Sequence, residues 1–239
     1  MAERAVVLDI EGTTTPIGFV TGVLFPYARE RVGQFLAHRA SEAADDLAQL
    51  FEERQQDESA GLSPPPWRDG TPAERLDSMV AYVGWLMDHD RKSTPLKALQ
   101  GRIWEEGYRS GELRGQVYPD VPRAFVRWRA QGRTLAIFSS GSVLAQKLLF
   151  SHSEAGDLTG YLQAYFDTTT GAKRVADSYR KIADALDVAA DAALFLSDVA
   201  LELDAARAAG MTTGLVVREG PPPAASHPVV RTFDDVPDD

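Results

Sequence analysis

Ala5-Val6-Val7-Leu8 is an apolar run of strand length that stops abruptly at Asp9-Ile10-Glu11-Gly12-Thr13. Short apolar runs recur at Thr134-Leu135-Ala136-Ile137-Phe138, Tyr165-Phe166, Ala193-Leu194-Phe195-Leu196 and Leu215-Val216-Val217, with a short edge strand near Val229 to Phe233. Helix-periodic segments lie between them, and alternation of strand and helix is the signature of a parallel sheet built from βαβ units. In such sheets chemistry gathers at the carboxyl ends of the strands, and these strands end in Asp9, Ser139, Asp167 and Ser197-Asp198.

Local signals set the helix limits. Asp120 is expected to cap a helix with Pro122 in its first turn, and Gly132 is expected to stop it. Asp177 or Ser178 is expected to cap a helix through Ile182 to Leu186, and Gly210 to end the helix from Leu201 to Ala209. From about Gly18 to Gly111 no convincing strand is legible. Met79, Tyr82, Val83, Leu86 and Met87 form an apolar stripe at helical spacing, as do Leu96, Leu99, Ile103 and Trp104. Ser63-Pro64-Pro65-Pro66-Trp67 reads as a stiff surface connection. The fold expected is therefore an α/β parallel-sheet core of residues 1–17 and 115–239, with a helical cap of residues 18–114 inserted after the first strand.

A chain of 239 residues suits one large domain or a core with one inserted unit. Its net charge of −10 opposes non-specific binding to nucleic acid or an anionic membrane, since both require phosphate neutralisation. A small-molecule partner is expected. The basic stretch Arg123 to Arg129 reads as a solvated helix face. With no cysteine, thiolate nucleophiles, disulfides and cysteine-ligated metals are excluded. His38, His89, His152 and His227 are scattered without metal-site spacing and are expected at the surface or in packing. An apolar strand begins within a few residues of Met1 and no run spans a bilayer, so a cytoplasmic protein is expected; a monomer is expected as well.

Phosphoryl transfer needs a nucleophile, a proton donor, cationic charge and donors to the phosphate oxygens. Asp9 can attack phosphorus; Glu11, two residues on, can protonate the leaving oxygen and then activate water. Ser139, with neighbouring amides and Gly141 at a helix start, can bind phosphate oxygens, and Ser140 can touch either the phosphate or the substrate body. Lys173 lies in the Gly171-Ala172-Lys173 loop, whereas the competing Lys147 and Lys181 sit inside helices; loop placement favours Lys173. Asp198 can complete an oxygen-rich Mg²⁺ site with Asp9. Glu202 either orients a bound water or is a solvated first-turn acid.

The order Asp-x-Glu-Gly-Thr, Ser, Lys, Asp, with a helical insertion after the first motif, resembles the haloacid dehalogenase superfamily of phosphatases. Two departures stand out: the second acid is Glu11 rather than the commoner aspartate, and the serine is doubled as Ser139-Ser140. Asp9 to Ile17, Val23-Leu24-Phe25-Pro26-Tyr27, Leu99 to Trp104, Ala145 to Phe150 and Phe166 to Gly171 resemble, more closely, the enolase-phosphatase family of methionine salvage. That resemblance runs along nearly the whole chain. It implies a haloacid dehalogenase-like fold and conversion of 2,3-diketo-5-methylthiopentyl 1-phosphate, by enolisation and then dephosphorylation, to the acireductone. It also implies Mg²⁺ on Asp9, Glu11 and Asp198 and substrate contacts from Ser139, Ser140 and Lys173; Glu11 is expected to bind the metal through its carbonyl, because its side chain is wanted for acid–base work. The base for enolisation stays open between Glu11 and Lys173. The cap is expected to close over the diketone; Phe19, Phe25 and Trp104 are either contacts to the methylthio tail or ordinary packing residues. The alternatives are a general small-molecule phosphatase on this fold, a carbon-attacking dehalogenase, which needs neither Glu11 nor Mg²⁺, and a non-catalytic binding module.

Overall fold

The computed structural model describes residues 3–224 and 226–237. It divides into two compact units, one of Met1–Val20 with Leu113–Asp239 and one of Thr21–Glu112.

The first unit is built on six strands: β1 (Ala5–Leu8), β2 (Thr134–Phe138), β3 (Ala164–Phe166), β4 (Ala193–Ser197), β5 (Thr212–Val216) and β6 (Val229–Val230). They form one sheet in the order β3-β2-β1-β4-β5-β6, and every pairing is parallel. All residues of β1 and β4 are buried, as strands covered on both faces require. The chain runs outward from β1 to β2 and β3, then returns to β4 on β1's other side. This reversal opens a crevice at the carboxyl ends of β1 and β4, where Asp9 and Asp198 follow their strands.

The helix Asp120–Ala130 buries Val121, Ala124, Phe125 and Trp128 at helical spacing, and Gly132 beyond it takes a left-handed φ of +77°. Tyr179, Ile182 and Ala183 of the helix Ala176–Ala185 join Phe138, Phe195 and Leu215 of the strands in one apolar cluster. Two of the expected caps differ. Asp120 is the first helical residue, after Pro119, and its carboxylate serves distant partners; the second helix starts at Ala176, so Asp177 and Ser178 lie inside it.

The unit Thr21–Glu112 contains four long helices, Phe25–Arg39, Ala44–Ser59, Pro72–Asp88 and Thr94–Ser110. Tyr82, Val83 and Leu86 are buried from one expected stripe, and Leu96, Leu99, Ile103 and Trp104 from the other. Thr71 and Glu74 form a reciprocal cap at the start of one helix, and Ser93 caps the next. Inside this unit Asp57 is buried, accepts from Tyr82 Oη at 3.0 Å and pairs with Arg91 at 2.5 Å. No described helix is long and apolar enough to cross a membrane.

Candidate active site

The loop after β1 is wound tightly around a single carbonyl. The amides of Thr13, Thr14 and Thr15 donate to Ile10 O at 3.2, 2.9 and 2.9 Å, and the Gly12 amide donates to Thr15 O at 2.8 Å. Gly12 takes φ +69°, and a Cβ there would lie 2.3 Å from Asp198 Oδ2. A side chain is thus excluded twice, by backbone conformation and by the approaching carboxylate. Thr13 Oγ1 accepts the Asp198 amide at 3.0 Å, tying the exits of β1 and β4 together. Asp9 is buried, and its Oδ1 accepts from the Ile10 amide at 2.7 Å.

Lys173 reaches this loop from the segment after β3. Its Nζ lies 2.7 Å from Asp9 Oδ1 and 2.6 Å from Glu202 Oε2, with all three side chains largely buried. Burial opposes the ammonium charge, but Asp9 and Glu202 outweigh it and hold the Lys173 pKa above the ordinary lysine value. Glu202 is pushed upward by burial and by the charge of Asp9. The Ser197 hydroxyl stands 3.3 Å from Asp9 Oδ2 and 3.2 Å from Glu202 Oε2, so it can donate to one of them at a time. Two residues of the next helix fix the lysine's loop: Tyr179 Oη donates to Lys173 O at 2.6 Å and Ser178 Oγ to Ala172 O at 2.8 Å.

The loop after β2 carries Ser139, buried, and Ser140, exposed. Ser139 Oγ accepts the Gly141 amide at 3.2 Å, and Ser142 caps the helix Val143–Ser151 through the Ala145 amide. Gln146 braces this turn from within that helix: its Nε2 donates to Gly141 O at 2.8 Å and to Phe166 O at 2.9 Å.

Asp198 is pushed toward its neutral form. Burial and then the negative charge of Asp9 push its pKa up to about 6, and its Oδ1 is buried without a hydrogen-bond partner. An orphaned carboxylate oxygen beside a second carboxylate is what a hard divalent cation satisfies, so the residues present fit Mg²⁺. Among the described residues no three histidine or carboxylate side chains gather as a ready cage. A site here would draw on Asp9, Asp198 and main-chain oxygen.

Asp9, Lys173, Asp198 and Glu202 are thus linked through direct contacts or close charges, while Ser139 stands at the end of the strand beside β1. Glu11 is exposed on the β1 loop. Lys147 and Lys181 stay in helices, and Lys181 pairs with exposed Asp177. Glu202 is not a solvated acid but the second carboxylate on Lys173. Tyr179 and Gln146 have no place among the residues singled out from sequence for chemistry, and Ser197 figures there only as the end of its strand; inside a helix beside Lys147, Gln146 carries no local signal that sets it apart. Phe19 is buried, and Trp104 is buried with its indole N–H donating to Leu24 O, so both pack; Phe25, stacked on Trp104, remains 41% exposed.

The family described as haloacid dehalogenase-like hydrolase matches residues 3–210. The chain is 54% identical over 215 residues to enolase-phosphatase E1 of Synechococcus elongatus, covering 89% of this chain and 88% of that one. It is 47% identical over 233 residues to enolase-phosphatase E1 of Klebsiella pneumoniae, covering 98% and 96%. Among solved structures, the UTR4 protein of Saccharomyces cerevisiae superposes with a TM-score of 0.79 at 33% identity, covering 98% of this chain and 100% of that one. A haloacid dehalogenase-type phosphatase of Thermococcus onnurineus gives 0.58 at 18% identity over 97% and 95%, a likeness of fold.

Proposed function

The chain belongs to the haloacid dehalogenase-like hydrolases and, within them, to the enolase-phosphatases, and we propose that Asp9 is the nucleophile of its phosphatase reaction. Its reaction is the methionine-salvage conversion of 2,3-diketo-5-methylthiopentyl 1-phosphate to the acireductone and phosphate. The observation that carries the assignment of Asp9 is its pairing with Lys173 at the carboxyl edge of the central strand, 2.7 Å apart and buried.

A carboxylate oxygen of Asp9 attacks phosphorus and the bond to the leaving oxygen breaks, giving an aspartyl-phosphate that water then hydrolyses. Glu11 donates the proton to the leaving oxygen and afterwards takes one from that water; its exposure on the β1 loop suits contact with substrate and solvent. Lys173 stays protonated between Asp9 and Glu202 and supplies fixed positive charge to the phosphate. Ser139 and Ser140 hold phosphate oxygens and the substrate body from the loop after β2. Asp9, Asp198 and the Glu11 carbonyl would hold Mg²⁺, which when bound would supply further positive charge against the phosphate. For enolisation, a lysine kept charged by two carboxylates is a poor base, which leaves Glu11 to remove the proton beside the carbonyl.

The test mixes the purified protein, with and without Mg²⁺, with a 2,3-diketo 1-phosphate and follows enol absorbance and phosphate release in parallel. Both signals, dependent on Mg²⁺, are expected. Phosphate release only from unrelated esters would leave a general phosphatase, and no turnover at all would leave a binding module. The same reading has the enzyme acting as a cytoplasmic monomer, which sedimentation and cell fractionation check.

A further inference from the structure

Arg218 lies two residues beyond β5, a full strand away from the loop that carries Asp9, yet its guanidinium ends on that loop. Nε and Nη2 both donate to Thr13 O, at 3.0 and 2.5 Å, while Nη1 donates to Asp120 Oδ2 at 2.6 Å. Both charged side chains are almost wholly buried, at 8% and 6% exposure. Asp120 is itself held by the Phe233 amide at 2.6 Å and by Thr232 Oγ1 at 3.1 Å. The guanidinium carbon packs 4.2 Å from the ring centre of Tyr118 and 4.6 Å from that of Phe233.

Thr13 joins this arrangement to the site. Its carbonyl is gripped by Arg218, and its hydroxyl oxygen grips the Asp198 amide at 3.0 Å. We propose that Arg218 is a positioning residue for the phosphatase site: by fixing Thr13 it fixes the backbone of Asp198 and so sets where Asp198 Oδ1, which has no hydrogen-bond partner, would meet a cation. This rests on the reading of Asp9 and Asp198 as the metal-binding pair. Stability alone accounts poorly for the device, because a buried ion pair adds little over well-packed apolar side chains. Its geometry accounts better: a planar fork with two donors on one carbonyl and a third on a carboxylate locks position and angle together, which a lysine cannot do. Groups at one remove from metal ligands act in this way, and their loss typically lowers metal affinity about 10- to 100-fold.

The experiment measures Mg²⁺ binding by calorimetry on the substrate-free protein, then kcat and KM, for the wild type, Arg218→Met, Arg218→Lys and Arg123→Met. Arg123 is the control: it pairs with Asp234 on the same C-terminal turn at 2.5 Å but does not touch Thr13. The expected result is Mg²⁺ binding weakened about 10-fold or more in both Arg218 variants, with kcat lowered, KM for substrate within about threefold, and Arg123→Met like the wild type. Arg218→Lys keeps a charge beside Asp120 and decides the matter if Arg218→Met does not fold. Wild-type Mg²⁺ affinity in Arg218→Lys, or an equal loss in Arg123→Met, overturns the inference while leaving the phosphatase assignment intact. A wild type that neither binds Mg²⁺ nor releases phosphate overturns both.

Discussion

Lys173 Nζ and Asp9 Oδ1 stand 2.7 Å apart with both side chains buried, and the same ammonium also pairs with Glu202. One cation therefore serves two carboxylates, with a third, Asp198, close enough to feel Asp9. Removing the cation leaves buried charge uncompensated. Lys173→Met should cost about 3–5 kcal/mol of stability without Mg²⁺ and lower kcat by about 10²- to 10³-fold. Adding Glu202→Gln should return part of the stability and none of the activity. Urea unfolding and phosphate release check both, and unchanged kinetics in Lys173→Met would shift the role to another lysine.

Asp9→Asn keeps the shape of the side chain and its contact with the Ile10 amide while removing the attacking charge. Phosphate release should fall by at least about 10⁴-fold, with circular dichroism unchanged. Turnover like that of the wild type would remove Asp9 as nucleophile.

Gly12→Ala tests the close approach of the β1 and β4 loops. The new Cβ would sit within 2.3 Å of the Asp198 carboxylate at a φ of +69°, so Asp198 must move. A displacement of about 1 Å in a catalytic group is worth about 10² in rate. The expected variant folds, binds Mg²⁺ more weakly and turns over about 100-fold more slowly; Mg²⁺ calorimetry and initial rates measure it.

Much of the sheet was legible because local pattern and burial agree. The runs Ala5–Leu8 and 135–138 are apolar throughout because those strand positions are buried, and they coincide with β1 and with all but the first residue of β2. The order of the motifs gave the family because strand ends in this topology must meet. Where local pattern is silent or points elsewhere, the deciding partners lie far away in the chain. Asp120 obeys the N-cap rule in sequence, yet its carboxylate is taken by Phe233 and Arg218. Glu202 has the look of a solvated first-turn acid, yet Lys173 draws it inward. Arg218 has only one local signal, a cation just past a strand, and nothing nearby says that it reaches Thr13.

Asp120 also predicts how the fold responds to acid. Burial alone would raise its pKa, but the Phe233 amide and the Arg218 guanidinium outweigh burial and hold it below the ordinary aspartate value. A carboxylate lowered on folding stabilises the protein fully above its unfolded pKa, about 3.9, and loses that contribution as pH falls through the lower folded value. Asp120→Asn retains an acceptor oxygen but has no charge to titrate. The stability difference between wild type and Asp120→Asn should therefore be constant from about pH 7 to 5 and shrink below about pH 4. Urea unfolding of both proteins across that range, without Mg²⁺, measures the difference directly. A difference that stays constant down to about pH 3 would mean that Arg218 and the Phe233 amide do not hold Asp120 in its charged form.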